Sequence, residues 1–317
     1  MRKNGNAQEA TGRLSGRVWI GMAAGCWAAA ACVKPAAAGK LAASIEGQEV
    51  RVTLDEKLLT SYKFAPKQKY PYFYPVNGPK TGRSVTTESS QPYPHHHSLF
   101  LACDRVNGAN YWQDVNARGQ IVSQGPRLVT SEPSKIEIAD VCLWRQPGKD
   151  PVLRDERRFV ITTAGDHVRL IDCYFKLIPL TDVRITKTNH AFFSFRARPE
   201  ISVKGGGNLM NSRGQKSEKP TFGQKADWCS VWGDSGGGSE GIAILDHPDN
   251  PWYPCTWFTR DYGFVSPTPM NFLEKPMELP KGQALKLQYR VVVYGGSPRE
   301  ANLDGRFARW AEAKTNK

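Results

Sequence analysis

The sequence predicts an all-β protein: a large antiparallel two-sheet sandwich with a short C-terminal helix. Three observations predict it. Runs with apolar residues at alternate positions recur from residue 48 to residue 294, turn signals separate them, and no helical periodicity comes between them. Strands that follow one another without crossover helices pair antiparallel and close into a sandwich or barrel.

The N-terminus precedes that pattern. Arg2, Lys3, Arg13 and Arg17 form a basic region, residues 18–33 are apolar or small without a charge, and Ala36-Ala37-Ala38 fits the small-x-small site of a signal peptidase. The apolar run, roughly 16 residues, is shorter than the ~20 needed to span a bilayer as a helix. Residues 1–38 are therefore expected to be a signal peptide and residues 39–317 a single β-sandwich domain, placed in the periplasm or secreted. Ala23-Ala24-Gly25-Cys26 resembles a lipobox without its usual Leu, which leaves lipoprotein anchoring open as an alternative.

In chain order, strands are expected over 48–54, over 57–64, and over 98–106 leading into the turn dipeptide Asn107-Gly108, with Tyr111-Trp112 returning. Residues 135–144 alternate through Ile136, Ile138, Val141 and Leu143. A hairpin joins 159–163 to 167–178 around Ala164-Gly165-Asp166. Its second strand is apolar on both alternations, as a strand covered on both faces would be. The last strand, 284–294, sets Leu285, Leu287, Tyr289, Val291 and Val293 on one face, and a helix over 304–313 carries Phe307 and Trp310. The stretches 205–220 and 233–238 are Gly-rich and polar and read as loops.

Charge and cysteine content narrow the partners. The chain carries 43 Lys and Arg against 30 Asp and Glu, a net +13. The leader supplies five bases (Arg2, Lys3, Arg13, Arg17, Lys34) less Glu9, so about +9 remains beyond it. The bases are scattered without a dense block, which argues against a nucleic-acid partner and leaves anionic glycans or a solvated basic surface. Five cysteines follow the leader, Cys103, Cys142, Cys173, Cys229 and Cys255, with no C-x-x-C pair for zinc or redox chemistry. An oxidising compartment would allow one or two disulfides, while the apolar settings of Cys142 and Cys173 suit buried thiols.

Four segments can carry chemistry. His95-His96-His97 holds half of the six histidines, ahead of an apolar strand. On an extended chain His95 and His97 share one face and His96 takes the other. Neutral imidazoles there could move protons, bind metal, or simply form a polar strand entrance. Asn189-His190 heads the aromatic run Ala191-Phe192-Phe193, where the histidine is either a held general acid or a core residue. Asp246-His247-Pro248, followed by Trp257, Arg260 and Tyr262, combines a proline-fixed turn, a fork of donors and flat aromatic faces, a set suited to a polyol. Glu274 and Glu278 are the fourth candidate, as a general base or as exposed loop carboxylates.

These segments carry two resemblances. Pro71-Tyr72-Phe73-Tyr74-Pro75-Val76, His95 to Ser98, Val106-Asn107-Gly108 with Tyr111-Trp112, and the 246–263 region resemble an uncharacterised family of exported bacterial proteins commonly labelled methane oxygenase. The label implies an integral membrane subunit with several spanning helices. No apolar run after the leader is long enough for one, so methane oxidation is rejected as the activity. Thr188-Asn189-His190-Ala191-Phe192-Phe193, His96-His97, and Leu279-Pro280-Lys281-Gly282-Gln283 before the last strand are similar to segments of galactose mutarotases. That resemblance implies a supersandwich with a sugar cleft on its concave face. It also implies proton donation by His190, with His96 or His97 as helper. The arginine segment of that family is not recognisable here, and Gln283 stands where its catalytic Glu would be.

The expected function is cofactor-free acid/base chemistry on a saccharide or glycan, of epimerase, lyase or glycosidase type. His190, His97 and His96 would be catalytic. His247, Arg260, Trp257, Tyr262 and Asp246 would bind substrate, with no metal and the protein a monomer. The alternatives are a noncatalytic glycan-binding module and, third, a metal-dependent oxidoreductase using the histidines.

Overall fold

Two large antiparallel sheets make the fold. The computed structural model describes residues 39–113 and 115–313, so the expected signal peptide lies outside the described residues. The first sheet has eight strands in the order Leu41–Glu46, Glu49–Leu54, Lys57–Lys63, Tyr72–Val76, Leu99–Cys103, Ala191–Arg196, Phe264–Pro267 and Trp257–Arg260. The second has nine. Eight run in the order Asn208–Asn211, Trp228–Asp234, Ser239–Asp246, Leu285–Gly295, Val168–Pro179, Leu153–Thr163, Lys135–Arg145 and Gln120–Ser123, and Arg127–Glu132 also pairs with Lys135–Arg145. The all-β sandwich with its C-terminal helix is thus present. Among the described residues no helix is long and apolar enough to cross a membrane.

Alternation explains how the sheets stack. Leu285, Leu287, Tyr289, Val291 and Val293 enter a core shared with Phe73, Phe193 and Trp257 of the first sheet, where Phe193 stacks on Tyr289 with ring centroids 5.0 Å apart. The opposite face of the same strand carries Val292 and Tyr294. These join Val168, Leu170 and Trp228 beneath Leu303 and Trp310 of the helix Leu303–Glu312. The Val168–Pro179 strand is therefore covered on both faces over its first half, as its doubled apolar pattern requires. The buried carboxylates Asp155 and Asp140 inside the sandwich are paired. Asp155 accepts from Arg157 Nε at 2.6 Å, Arg157 Nη2 at 2.9 Å and Trp144 Nε1 at 2.5 Å, and Tyr62 donates to Asp140 at 2.8 Å. A buried charge needs such satisfaction to be tolerated.

Three local expectations change. Tyr111-Trp112 does not form a return strand, because Asn110 Oδ1 accepts from the backbone N–H groups of both Trp112 and Gln113 and holds the chain in a turn. Residues 205–220 are not all loop: Asn208–Asn211 is an edge strand and Glu218–Thr221 a single helical turn. All five described cysteines are buried free thiols, so no disulfide forms among them.

Candidate functional site

The site lies on the outer face of the eight-stranded sheet. On Ala191–Arg196 Phe193 stacks on Tyr289 of the second sheet and Phe195 shares its phase, so Ser194 and Arg196 face outward. Register continues that face. Ser194 pairs with Phe100 and Phe100 with Tyr72, while Arg196 pairs with Phe264 and Phe264 with Arg260. Direct antiparallel partners share a face, so this row of side chains forms one floor.

Loops build walls on that floor. Tyr93 C=O accepts from His96 N–H at 3.1 Å, closing a turn that projects His95 and His96 together. The Tyr70 hydroxyl donates to His95 C=O at 2.6 Å, and its ring stacks on Phe100. Across the floor, Arg260 to Gly263 forms a tight turn, with Gly263 N–H donating to Arg260 C=O at 2.9 Å. Gly263 sits at φ +89°, and a Cβ there would lie 3.0 Å from the Ala197 Cβ, so glycine is needed for Tyr262 to swing over the sheet. The resulting cavity is about 300 Å³ and is lined by Tyr93, His95, His96, Gln113, Asn189, His190, Phe258, Arg260, Tyr262 and Phe264. A more open groove of about 560 Å³ adjoins it, sharing Gln113 and lined also by Asp104, Arg105 and Arg184.

His190 is the best-positioned proton carrier. Its Nδ1 lies 3.2 Å from Asp104 Oδ2, and its backbone N–H donates to Thr188 Oγ1 at 3.0 Å. The Thr188 hydroxyl donates in turn to Asp104 Oδ1. With a carboxylate as its partner, Nδ1 carries the proton and Nε2 is left as the basic nitrogen. Trp112 packs beside the ring at 5.5 Å. This Asp–His arrangement orients an imidazole and can stabilise the charge it gains in proton transfer.

His95 and His96 differ in character. Burial first, then the neighbouring His190 and His97, holds His95 down to about 4. Burial, followed by His95 and Arg196, holds His96 down to about 2. Both are neutral at neutral pH, and His95 Nε2 and His96 Nδ1 are buried without a partner. They can offer hydrogen bonds to a ligand but are weak bases. Burial raises Tyr262 to about 12, against the lowering effect of Arg196, so its phenol keeps its proton. Among the described residues no group of three His, Cys, Asp or Glu is arranged to hold a metal ion.

A stability consequence follows for His96. Its folded pKa lies below the usual 6.5, so the unfolded chain binds the proton more tightly, and stability is lost as pH falls below 6.5. Asp246, raised to about 7 mainly by burial, has the opposite sign and gains stability over the same descent. The His96 contribution is therefore isolated by difference. The stability advantage of wild type over His96→Asn should shrink by about 2 kcal/mol between pH 7.5 and pH 5 in urea titrations. A difference that stays flat with pH would show His96 to be freely protonated in the folded state.

Of the residues expected to form the site, His96, His190, Arg260 and Tyr262 come together. The others do not. His97 turns away, with its ring stacked on Tyr72 at 5.0 Å near Glu88, because His95 and His96 occupy a turn and the extended-chain parity assumed for the run fails. Trp257 is fully buried in the sandwich and donates Nε1–H to Ala226 C=O at 2.8 Å. On a strand it and Arg260, three residues apart, must face opposite ways, and it is Phe258 that joins Arg260 at the cavity. His247 is buried against Trp310, ring centroids 4.7 Å apart, on the helix-covered side of the other sheet. Asp246 is a turn anchor that accepts from Asn250 Nδ2 at 2.6 Å and Cys255 N–H at 3.1 Å. Glu278 pairs with Arg184 at the surface, and Glu274 is exposed outside the cavity. His95 belongs to the histidine run singled out in the sequence, where it was given no catalytic role, and Tyr93, Gln113, Phe258 and the Asp104 partner were not foreseen. Only the parity of Phe258 with Arg260 was visible in the sequence.

A two-sheet β protein with a histidine-lined, aromatic-walled cavity on one outer sheet face is the class these features define. Residues 49–308 match the model of a family of unknown function, DUF6807, and the chain belongs to that family. No curated protein matches the chain.

Proposed function

We propose that this is an exported carbohydrate-active protein whose cavity performs cofactor-free acid/base chemistry on a sugar, with His190 as the proton-transfer residue. The observation that carries the reading is the Asp104–His190 pair, 3.2 Å apart, at the wall of a cavity of about 300 Å³. That volume lies at the small end of ligand sites and suits one sugar unit. Neutral histidines, Gln113, Asn189 and Tyr93 supply donors and acceptors to hydroxyl groups, and Phe258, Tyr262 and Phe264 supply apolar faces. The described lining residues include no Asp or Glu. Glycoside hydrolysis ordinarily uses two carboxylates flanking the bond. Proton abstraction at a sugar carbon, with a proton returned to that carbon in epimerisation or given to the departing oxygen in elimination, therefore fits these residues better. Export rests on the basic and apolar leader pattern and the Ala36-Ala37-Ala38 site.

The test is a saccharide panel read by tryptophan fluorescence. Trp112 is the tryptophan beside His190, so an occupant of the cavity should alter its emission saturably, and Trp112→Phe should remove most of that change. A broad panel that produces no saturable response from folded protein would end the carbohydrate reading.

A further inference from the structure

We propose that the sugar taken by this cavity carries an anionic group, a carboxylate or a sulfate, and that Arg196 is the receptor for it. The inference rests on the carbohydrate reading above and adds the charge of the ligand.

Arg196 is 2% exposed. Its position opposite Phe264, which itself lies opposite Arg260, sets the three side chains side by side on the outer face, and the latter two line the cavity. The Tyr262 ring, also a lining group, lies over its guanidinium at 4.2 Å. Among the described residues the other buried arginines, Arg157 and Arg198, each have a carboxylate. Asp155 holds Arg157 at 2.6 Å, and Glu200 holds Arg198 at 3.0 Å. Arg260 at the cavity is likewise matched, by Glu218 at 2.9 Å. Arg196 has no such partner among the described residues, and its Nε and Nη1 are buried without any hydrogen bond.

A buried cation without a counter-ion is costly, and natural proteins pair such groups unless a ligand supplies the charge. Burial lowers Arg196 to about 10, so it remains charged at neutral pH. The guanidinium only donates, in a planar fork that matches the paired oxygens of a carboxylate and also suits sulfate. Unpartnered buried atoms beside it on this face are His96 Nδ1, Ser194 Oγ and Trp112 Nε1. They are neutral, so they can serve hydroxyl groups but cannot balance its charge. The adjoining groove is lined by Arg105, Arg118 and Arg184 against Asp104, and with Arg184 paired to Glu278 it keeps a small positive excess on the approach to the cavity.

Calorimetric titration of the full chain with matched sugars tests the proposal: galactose, galacturonate and galactose 6-sulfate, then glucose and glucuronate. The acidic member of a set should bind about 10- to 100-fold tighter than the neutral one, the range expected for a hydrogen-bonded charge pair. The uronate and sulfate arms tell which anion the fork takes. In Arg196→Met the ratio of acidic to neutral affinity should fall to near one. Should that variant fail to fold, Arg196→Lys keeps the charge without the fork and should cut the ratio. The wild-type ratio is decisive in either case. Neutral sugars that bind as tightly as their acidic partners would overturn the anion receptor and leave the carbohydrate reading standing. Binding of neither kind would overturn both.

Discussion

Replacement of His190 by Gln is expected to reduce turnover of the saccharide found by the panel by about 10²- to 10⁴-fold, the usual cost of losing a positioned acid or base. Its side chain is 20% exposed at the cavity wall, so the change removes little packing, and stability should shift by only about 0.5 kcal/mol. Gln can still donate to Asp104 from its amide, which keeps the local hydrogen bond while removing a titratable nitrogen. Asp104→Asn is the companion variant. It leaves the shape in place but takes away the negative charge beside Nδ1, and it should lower kcat more than it raises KM. Asp104 is 6% exposed and is held by Thr188 as well, so its removal should also cost some stability. His190→Gln protein that melts as wild type and keeps full turnover would assign the chemistry elsewhere. Early unfolding with undiminished activity per folded molecule would make His190 a structural residue.

How far the sequence discloses this site depends on whether each segment keeps the periodicity of a strand. Where it does, the reading is good. The 285–295 strand places Leu285, Leu287, Tyr289, Val291 and Val293 in the core as alternation demands, and the last helix forms over Leu303–Glu312 with Trp310 buried. His190 is legible because it stands beside Asn189 at the head of an aromatic strand and because the mutarotase resemblance falls on it. Where the backbone leaves the strand, parity stops being informative. His96 closes a turn onto Tyr93, so the run His95-His96-His97 does not alternate across a sheet, and the pair at the cavity becomes His95 with His96. Asp104 was illegible for another reason. It lies 86 residues before His190, and only the pairing of Leu99–Cys103 with Ala191–Arg196 brings the two together. Arg196 is an ordinary strand arginine in sequence, and its lack of a partner is a property of the packed sheet alone.

Trp257 and Tyr262 stand five residues apart, and their substitutions should have opposite consequences. Trp257 faces the inter-sheet core, is fully buried and satisfies its indole N–H on Ala226. Trp257→Ala would leave a large cavity and an unmatched carbonyl, and should lower the free energy of unfolding by about 3–5 kcal/mol. Saccharide affinity per folded molecule should remain close to wild type, because the cavity wall on that strand is built by Phe258 and Arg260. Trp257→Phe gives a milder form of the same result, losing about 1–2 kcal/mol through the N–H bond and the smaller ring. Tyr262 instead lies half-buried over the Arg196 guanidinium and lines the cavity. Tyr262→Leu should cost only about 1 kcal/mol of stability. It removes the aromatic face and the phenol together, and saccharide binding should weaken by about 10-fold. Urea unfolding and titration of each variant above its folded threshold separate the two effects. A Trp257 variant that binds poorly at unchanged stability would return that residue to the site, and would mean that the strand Trp257–Arg260 presents the opposite face to the cavity.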